Sequence, residues 1–373
     1  MGLSNHLSNV FQSINDNIMR KLISNILFIT SLLLLCSCQR TADPRQSAAD
    51  HASGFRIEHR NDTSFITFYT NNTQSTIHNN TDSCLFAVPD AKPYRRLITT
   101  SVTHVGFLQA IGADSCIAGV CDKDYLYTPV PWAEDIGSSL NLDAERILHA
   151  DADLVLLTYS GDSRSNSRLE TFGLPTLMIN EWREQNPLAR AEWVRVFGVL
   201  TGHRREADSV YNEVVQRYNE LRDLVEAQQH LYDTKVKIMS GAVWQGTWYV
   251  PDGNTYMAQL FRDAGAEYKF TDGTGSSSLP LSFEQALLDF QDADVWVGAP
   301  VTTLSELRQR DEKNTWFKAY KDGRVYNFSR RTRGDANDFW QLGVVHPELI
   351  LSDLINIVHI GDDSMLFFST GLR

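Results

Sequence analysis

One pattern occurs twice in the chain, and it constrains the fold more than any other feature. Residues 142–157 read LDAERILHADADLVLL, and residues 281–298 read LSFEQALLDFQDADVWVG. Each copy opens on Leu followed by a residue that caps helices, Asp143 or Ser282. Glu145 or Glu284 stands two positions after the cap, and a short apolar-periodic run follows. Each closes on Ala-Asp and a run rich in Val, Leu and Trp. The pattern predicts a capped helix of two to three turns feeding a buried strand. Ser282 and Gln285 also have the spacing of a capping box.

The flanks repeat in the same order. RRLITTS, HVGFLQAIGA and CIAGVC precede the first copy as strand, helix stopped at Gly112, and strand. KVKIMSGAV, NTYMAQLFRDAGA and EYKFTD precede the second in the same way, with the helix stopped at Gly265. LPTLMIN (174–180) and GRVYNFS add further strands. Strand–helix alternation of this kind calls for parallel sheets covered by helices. Its duplication predicts an α/β fold of two similar Rossmann-like lobes, which 373 residues are enough to build. Between the lobes, from about His203 to Gln229, neither Gly nor Pro interrupts. There Ala207, Val210, Val214, Tyr218, Leu221 and Val225 recur at three- and four-residue spacing. This predicts one helix roughly 40 Å long, a stiff strut that restricts hinge motion between the lobes.

Ahead of the lobes, MRKLISNILFITSLLLLCSCQR (19–40) has a basic start, an apolar core and then cysteine. It reads as a secretory signal, too short and wrongly flanked for a stable membrane span. Residues 1–18 form an upstream extension, with Met19 able to serve as the start. LCSC resembles a bacterial lipobox, so Cys38, which follows the small Ser37, is expected to carry lipid and begin the mature chain. Cys36 fits less well after Leu35, and an uncleaved anchor helix is the other reading. Residues 39–53 suit a flexible tether. FRIEHR-ND-TSFITFYT alternates about Asn61-Asp62 and predicts a β-hairpin, with CLFAVP as a further strand. The resulting division is a leader at 1–38, tether and β appendage at 39–93, a first lobe at 94–186, linking helices at 187–230 and a second lobe at 231–373.

Other function classes find little support. The balance of 34 basic and 46 acidic residues gives −12, against the clustered cations that a nucleic-acid binder needs. The ten histidines form no HxxxH or HxH pair and the cysteines no CxxC, so neither metal site nor cofactor is announced. GxSxG, HExxH and a Gly-rich phosphate loop are missing as well. An exported enzyme would reveal itself by turnover, and a structural lipoprotein would leave the doubled lobe without a purpose. Export permits a disulfide. Cys116 and Cys121 lie five apart in a strand and face opposite ways, which leaves either a bridge through Cys84 or three buried thiols.

An exported, lipid-anchored pair of α/β lobes on one long helix resembles a class III solute-binding protein. The resemblance covers about 94–360. It is carried by TTSVTHVGFLQAIGADSCIAGVCD, NLDAERILHADADLVLL, PLARAEWVRVFGVLTGHRREADSVYNEV, GTWYVPDGNTYMAQLFRDAGA and GVVHPELILSDL, in that order. It implies a monomer in the cell envelope that binds an iron–siderophore complex, haem or vitamin B12 and serves an ATP-binding-cassette importer. It further implies that one acidic residue on each lobe meets arginines of the permease dimer. Glu145 and Glu284 match those positions, although the macrodipole alone also favours Glu at helix N-termini. The membrane is expected to be touched only through the lipid.

Ligands of such folds sit at the carboxyl ends of the strands. That rule selects Ser101, Thr103 and His104 after LITT, then Tyr125 and Tyr127, Tyr159, and Trp182 with Arg183. In the second lobe it selects Trp244, Trp248 and Tyr249, and then Arg333, Asp338 and Trp340. Aromatic rings and arginines suit a large, flat, partly anionic ligand. An iron complex is therefore expected, gripped by Arg183 and Arg333 from opposite halves. Haem would bring its iron within reach of Tyr or His104. A corrinoid, largely neutral at its periphery, would rely instead on Trp244, Trp248, Tyr125 and Tyr127.

Overall fold

The computed structural model describes residues 51–69, 83–158, 169, 173–228, 234–273, 278–362, 364–369 and 371–372. The signal segment, Cys38, most of the tether, residues 70–82, Tyr159 and residues 274–277 lie outside them.

The N-terminal appendage is a three-stranded antiparallel sheet, β1 (Phe55–Arg60), β2 (Thr63–Tyr69) and β3 (Ser83–Pro89), with β2 in the centre. Asn61 takes φ 53° at the turn, a left-handed conformation that Asn tolerates and two-residue hairpins require.

The first lobe comprises β4 (Leu97–Thr99), α1 (Val102–Ala110), β5 (Ile117–Cys121), β6 (Glu134–Gly137), α2 (Ala144–His149), β7 (Leu154–Leu157) and β8 (Thr176–Met178). Its five strands are parallel in the order β6-β5-β4-β7-β8. Three helices link the lobes: α3 (Pro187–Glu192), α4 (Val194–Thr201) and α5 (Arg204–Gln228). The second lobe opens with β9 (Lys237–Ser240), β10 (Ala242–Trp244), β11 (Thr247–Pro251), α6 (Tyr256–Asp263), β12 (Glu267–Tyr268) and β13 (Ser278–Leu281). It continues with α7 (Phe283–Phe290), β14 (Val295–Val297), α8 (Leu304–Arg310), α9 (Lys318–Lys321) and β15 (Val325–Tyr326). It ends with β16 (Thr332–Arg333), β17 (Ala336–Asn337), α10 (Asp338–Gln341) and α11 (Pro347–Ile355). Strands β12-β9-β14-β15 form its parallel sheet, and β10-β11-β13 an antiparallel flank.

The repeated motif plays the same part in both lobes. Asp143 caps α2 by accepting from the Glu145 and Arg146 amides, and Ser282 caps α7 by accepting from the Gln285 amide. The expected capping box is half formed, because the Gln285 side chain turns to Asp289 at 2.9 Å. Helix α2 delivers β7 beside β4, and α7 delivers β14 beside β9. In each sheet the first strand therefore lies between neighbours reached in opposite directions, which is the switch point where open α/β sheets form their crevice.

The apolar stripe of α5 is Ala207, Tyr211, Val214, Tyr218, Leu221 and Val225, with Tyr211 rather than Val210 fully inside. It packs against α4 on one side and α11 on the other. One apolar core runs through both lobes and these helices, and a smaller one lines the opposite face of the first sheet. Cys116 belongs to the first and Cys121 to the second, so they do face opposite ways. The three cysteines among the described residues are free, and Cys84 is exposed on the edge strand of the appendage. This corrects both the bridge through Cys84 and the set of three buried thiols. Among the described residues no helix is long and apolar enough to cross a membrane.

Candidate functional site

The strand exits of the first lobe are stitched together below their exposed side chains. Ser101, extended at φ −141°, caps α1 by accepting from the Thr103 amide. Thr103 Oγ1 in turn donates to Glu181 Oε1 at 2.7 Å. Glu181 is buried, and burial pushes its carboxyl above the usual range despite the pull of Arg190. The turn Glu181–Arg183 is fixed by this bond, and its next two side chains point outward. Trp182 is exposed, with the Arg183 guanidinium 5.1 Å from its ring centre. Tyr125 is exposed on the short helical turn Lys123–Tyr125.

In the second lobe β9 leads through Gly241 into the hairpin β10–β11. Gly241 has φ 87°, and a Cβ there would stand 1.9 Å from the Tyr249 carbonyl oxygen, so no larger residue fits. Gln245 and Gly246 make the tip with φ 49° and 83°, the pair of left-handed residues that a tight hairpin needs. The register Ala242↔Tyr249, Val243↔Trp248 and Trp244↔Thr247 puts Trp244 and Tyr249 on one face and Trp248 on the other. Trp244 is 69% and Tyr249 41% exposed, whereas Trp248 is 1% exposed. Further on, Trp340 stands edge-on to Phe328 and Phe339, partly exposed. Exposed Arg333 donates from Nη2 to the Leu126 carbonyl of the first lobe at 3.1 Å. Its neighbour Arg331 holds buried Asp338 at 2.6 Å and covers the Tyr127 ring at 5.0 Å.

Four expectations change. Trp248 packs among Phe283, Trp296 and Phe317 and donates to the Ser240 carbonyl, so it holds the hairpin and is closed to ligand. His104 is wholly buried 5.9 Å from the Phe197 ring, neither nitrogen has a partner, and burial pushes its pKa down to about 3. A neutral, enclosed ring is out of reach of any haem iron. Thr103 is committed to Glu181 and Asp338 to Arg331, so both act as framework. Tyr125, Trp182, Arg183, Trp244, Tyr249, Arg333 and Trp340 remain open to solvent at strand exits of the two lobes. Glu145 and Glu284 are exposed in the first turns of α2 and α7. Sequence reasoning missed Glu181, Arg331 and Gln341, whose partners lie 7 to 232 residues away. A lone polar residue in a short segment carries no signal of that.

Residues 98–331 match the family model described as periplasmic binding protein. The chain belongs to that family. Its two lobes on one long helix give this periplasmic binding protein the class III form. It is 27% identical over 284 residues to an uncharacterised lipoprotein of Methanocaldococcus jannaschii, a match covering 72% of this chain and 66% of the relative. Among solved structures it resembles a possible iron-binding (periplasmic solute-binding) protein from Staphylococcus epidermidis. There the TM-score is 0.58 and the identity 16%, over 72% of this chain and all of that one. It also resembles a periplasmic heme-binding protein from Pseudomonas aeruginosa, with TM-score 0.55 and 19% identity over 70% of this chain and 92% of the other.

Proposed function

We propose that this periplasmic binding protein captures an iron complex, a siderophore chelate or haem, between its lobes and hands it to an ATP-binding-cassette importer. In this reading it is held at the membrane through acyl groups on Cys38. The observation that carries the ligand class is the set of exposed aromatic side chains at strand exits of both lobes, with Arg183 on one half and Arg333 on the other. Rings bury apolar area with little entropy to lose, and arginine pairs with the carboxylates or phenolates of such ligands. The names of the similar structures, iron-binding and heme-binding, support the same class. The name of the M. jannaschii relative supports the lipid anchor. The corrinoid alternative loses one of its four aromatic faces, since Trp248 is buried.

Delivery is assigned to Glu145 and Glu284. They occupy equivalent turns in two copies of one motif, so they suit a partner that presents two equivalent cationic sites, as a permease dimer does. The test is radio-iron uptake from ferric siderophore and from haem in cells lacking the chain. Wild-type chain should restore uptake from one of them. Glu145→Ala or Glu284→Ala should impair it while leaving the purified protein's affinity unchanged. Uptake that never depends on the chain would refute the function, and loss of ligand binding in either variant would refute the docking role.

A further inference from the structure

The lobes meet where α10 of the second crosses α1 of the first. A Cβ on Gly106 would stand 1.9 Å from the backbone oxygen of Gln341, so the two helices approach as closely as only glycine permits. The Gln341 side chain, 1% exposed, reaches across that seam. Its Oε1 accepts from the amides of Tyr127 (2.8 Å) and Thr128 (3.3 Å). Its Nε2 donates to the Thr128 carbonyl (2.9 Å) and to Gln109 Oε1 (2.6 Å). Both donors and both acceptor positions of the amide are thus engaged. Every one of these partners lies in the first lobe, and filling space alone would have been served by leucine.

We infer that Gln341 is a positioning residue for the ligand site. It locks the β5 exit, which bears Tyr125, to the segment after β15, which bears Arg333 and Trp340. Arg333 on Leu126 and Arg331 over Tyr127 extend the same seam. Recognition groups from the two lobes therefore form one rigid unit before any ligand arrives, and the seam does not open as a hinge. What is positioned rests on the proposed ligand site; the lock itself does not.

The test is hydrogen–deuterium exchange of the full, ligand-free chain, followed by titration with haemin and with ferric desferrioxamine. Gln341→Ala removes the four bonds, and Gly106→Ala forces α1 and α10 apart while leaving every bonding group in the chain. Both variants should speed exchange in residues 122–128 and 331–341 together, and weaken whichever probe binds by about tenfold, the scale of one buried hydrogen-bonded contact. Gln341→Glu, which keeps the acceptor for both amides, replaces Gln341→Ala if that variant fails to fold, and should speed exchange less. Unchanged exchange in 331–341 in both variants would overturn the lock. Faster exchange with native-like affinity would overturn the positioning role. Should neither probe bind the native chain, the exchange result still decides the lock, and only the ligand reading falls.

Discussion

His104 stands in the first turn of α1 as a neutral ring that the fold has closed off, with a pKa near 3 against 6.5 in the open chain. Below the higher value the unfolded chain binds a proton that the folded chain refuses, so stability falls as pH drops from 6.5 towards 3. Between neutral pH and pH 5 the loss should be about 2 kcal/mol. Urea unfolding at the two pH values should show His104→Leu relieved of most of that loss; an equal loss in both proteins would mean that the ring is solvated. On the proposed reading, Arg333→Ala should weaken binding of an iron complex by roughly 1.5–3 kcal/mol, the scale of a charge-assisted bond. No weakening in a calorimetric titration would place Arg333 outside the site. At this scale the sequence was only partly legible. Trp244 and Trp248 look alike as letters, and an even separation along one strand would put them on the same face. The turn at Gln245-Gly246 lies between them and folds the strand back, so one ring faces solvent and the other the core.

Elements with a strong period were legible, and those without one were not. Helix α5 is legible, its start lying one residue from the expected His203, because twenty-five residues without Gly or Pro carry one apolar stripe. Strands β12 and β15 have two residues each, too few for alternation to mark their ends. The appendage was legible as strands, but its seat was not, since it depends on two buried carboxylates far along the chain. Glu192 Oε2 accepts from the His51 and Ala52 amides at 2.7 and 2.8 Å, and Glu184 accepts from the Ser53 and Gly54 amides. Phe55 and Phe68 close on Trp193 beside them. Glu192→Ala would leave two amides and the Tyr211 hydroxyl without this acceptor, a destabilisation of about 1–3 kcal/mol. Amide exchange should quicken through β1 and β2 while the parallel sheets keep their protection; uniform protection would mean that the appendage is seated by its apolar contacts alone.

Across the whole molecule, the duplicated motif explains why one chain has two switch points and two exposed glutamates in equivalent turns. The architecture could be read from the sequence because it is written twice, in order, on either side of a helix with no hinge residue. The proposed ligand surface is less legible, because strand exits can be located by pattern while burial within them depends on which neighbouring elements pack above. Exposed rings at those exits, Trp182, Trp244 and Trp340, also make binding visible. The most direct measurement is therefore tryptophan quenching of the purified chain, titrated with ferric siderophores, haem and cyanocobalamin. Saturable one-to-one quenching at submicromolar concentration by an iron complex, without turnover, is the expected result. Quenching by cyanocobalamin with neither iron complex bound, or chemical conversion of the added ligand, would contradict it.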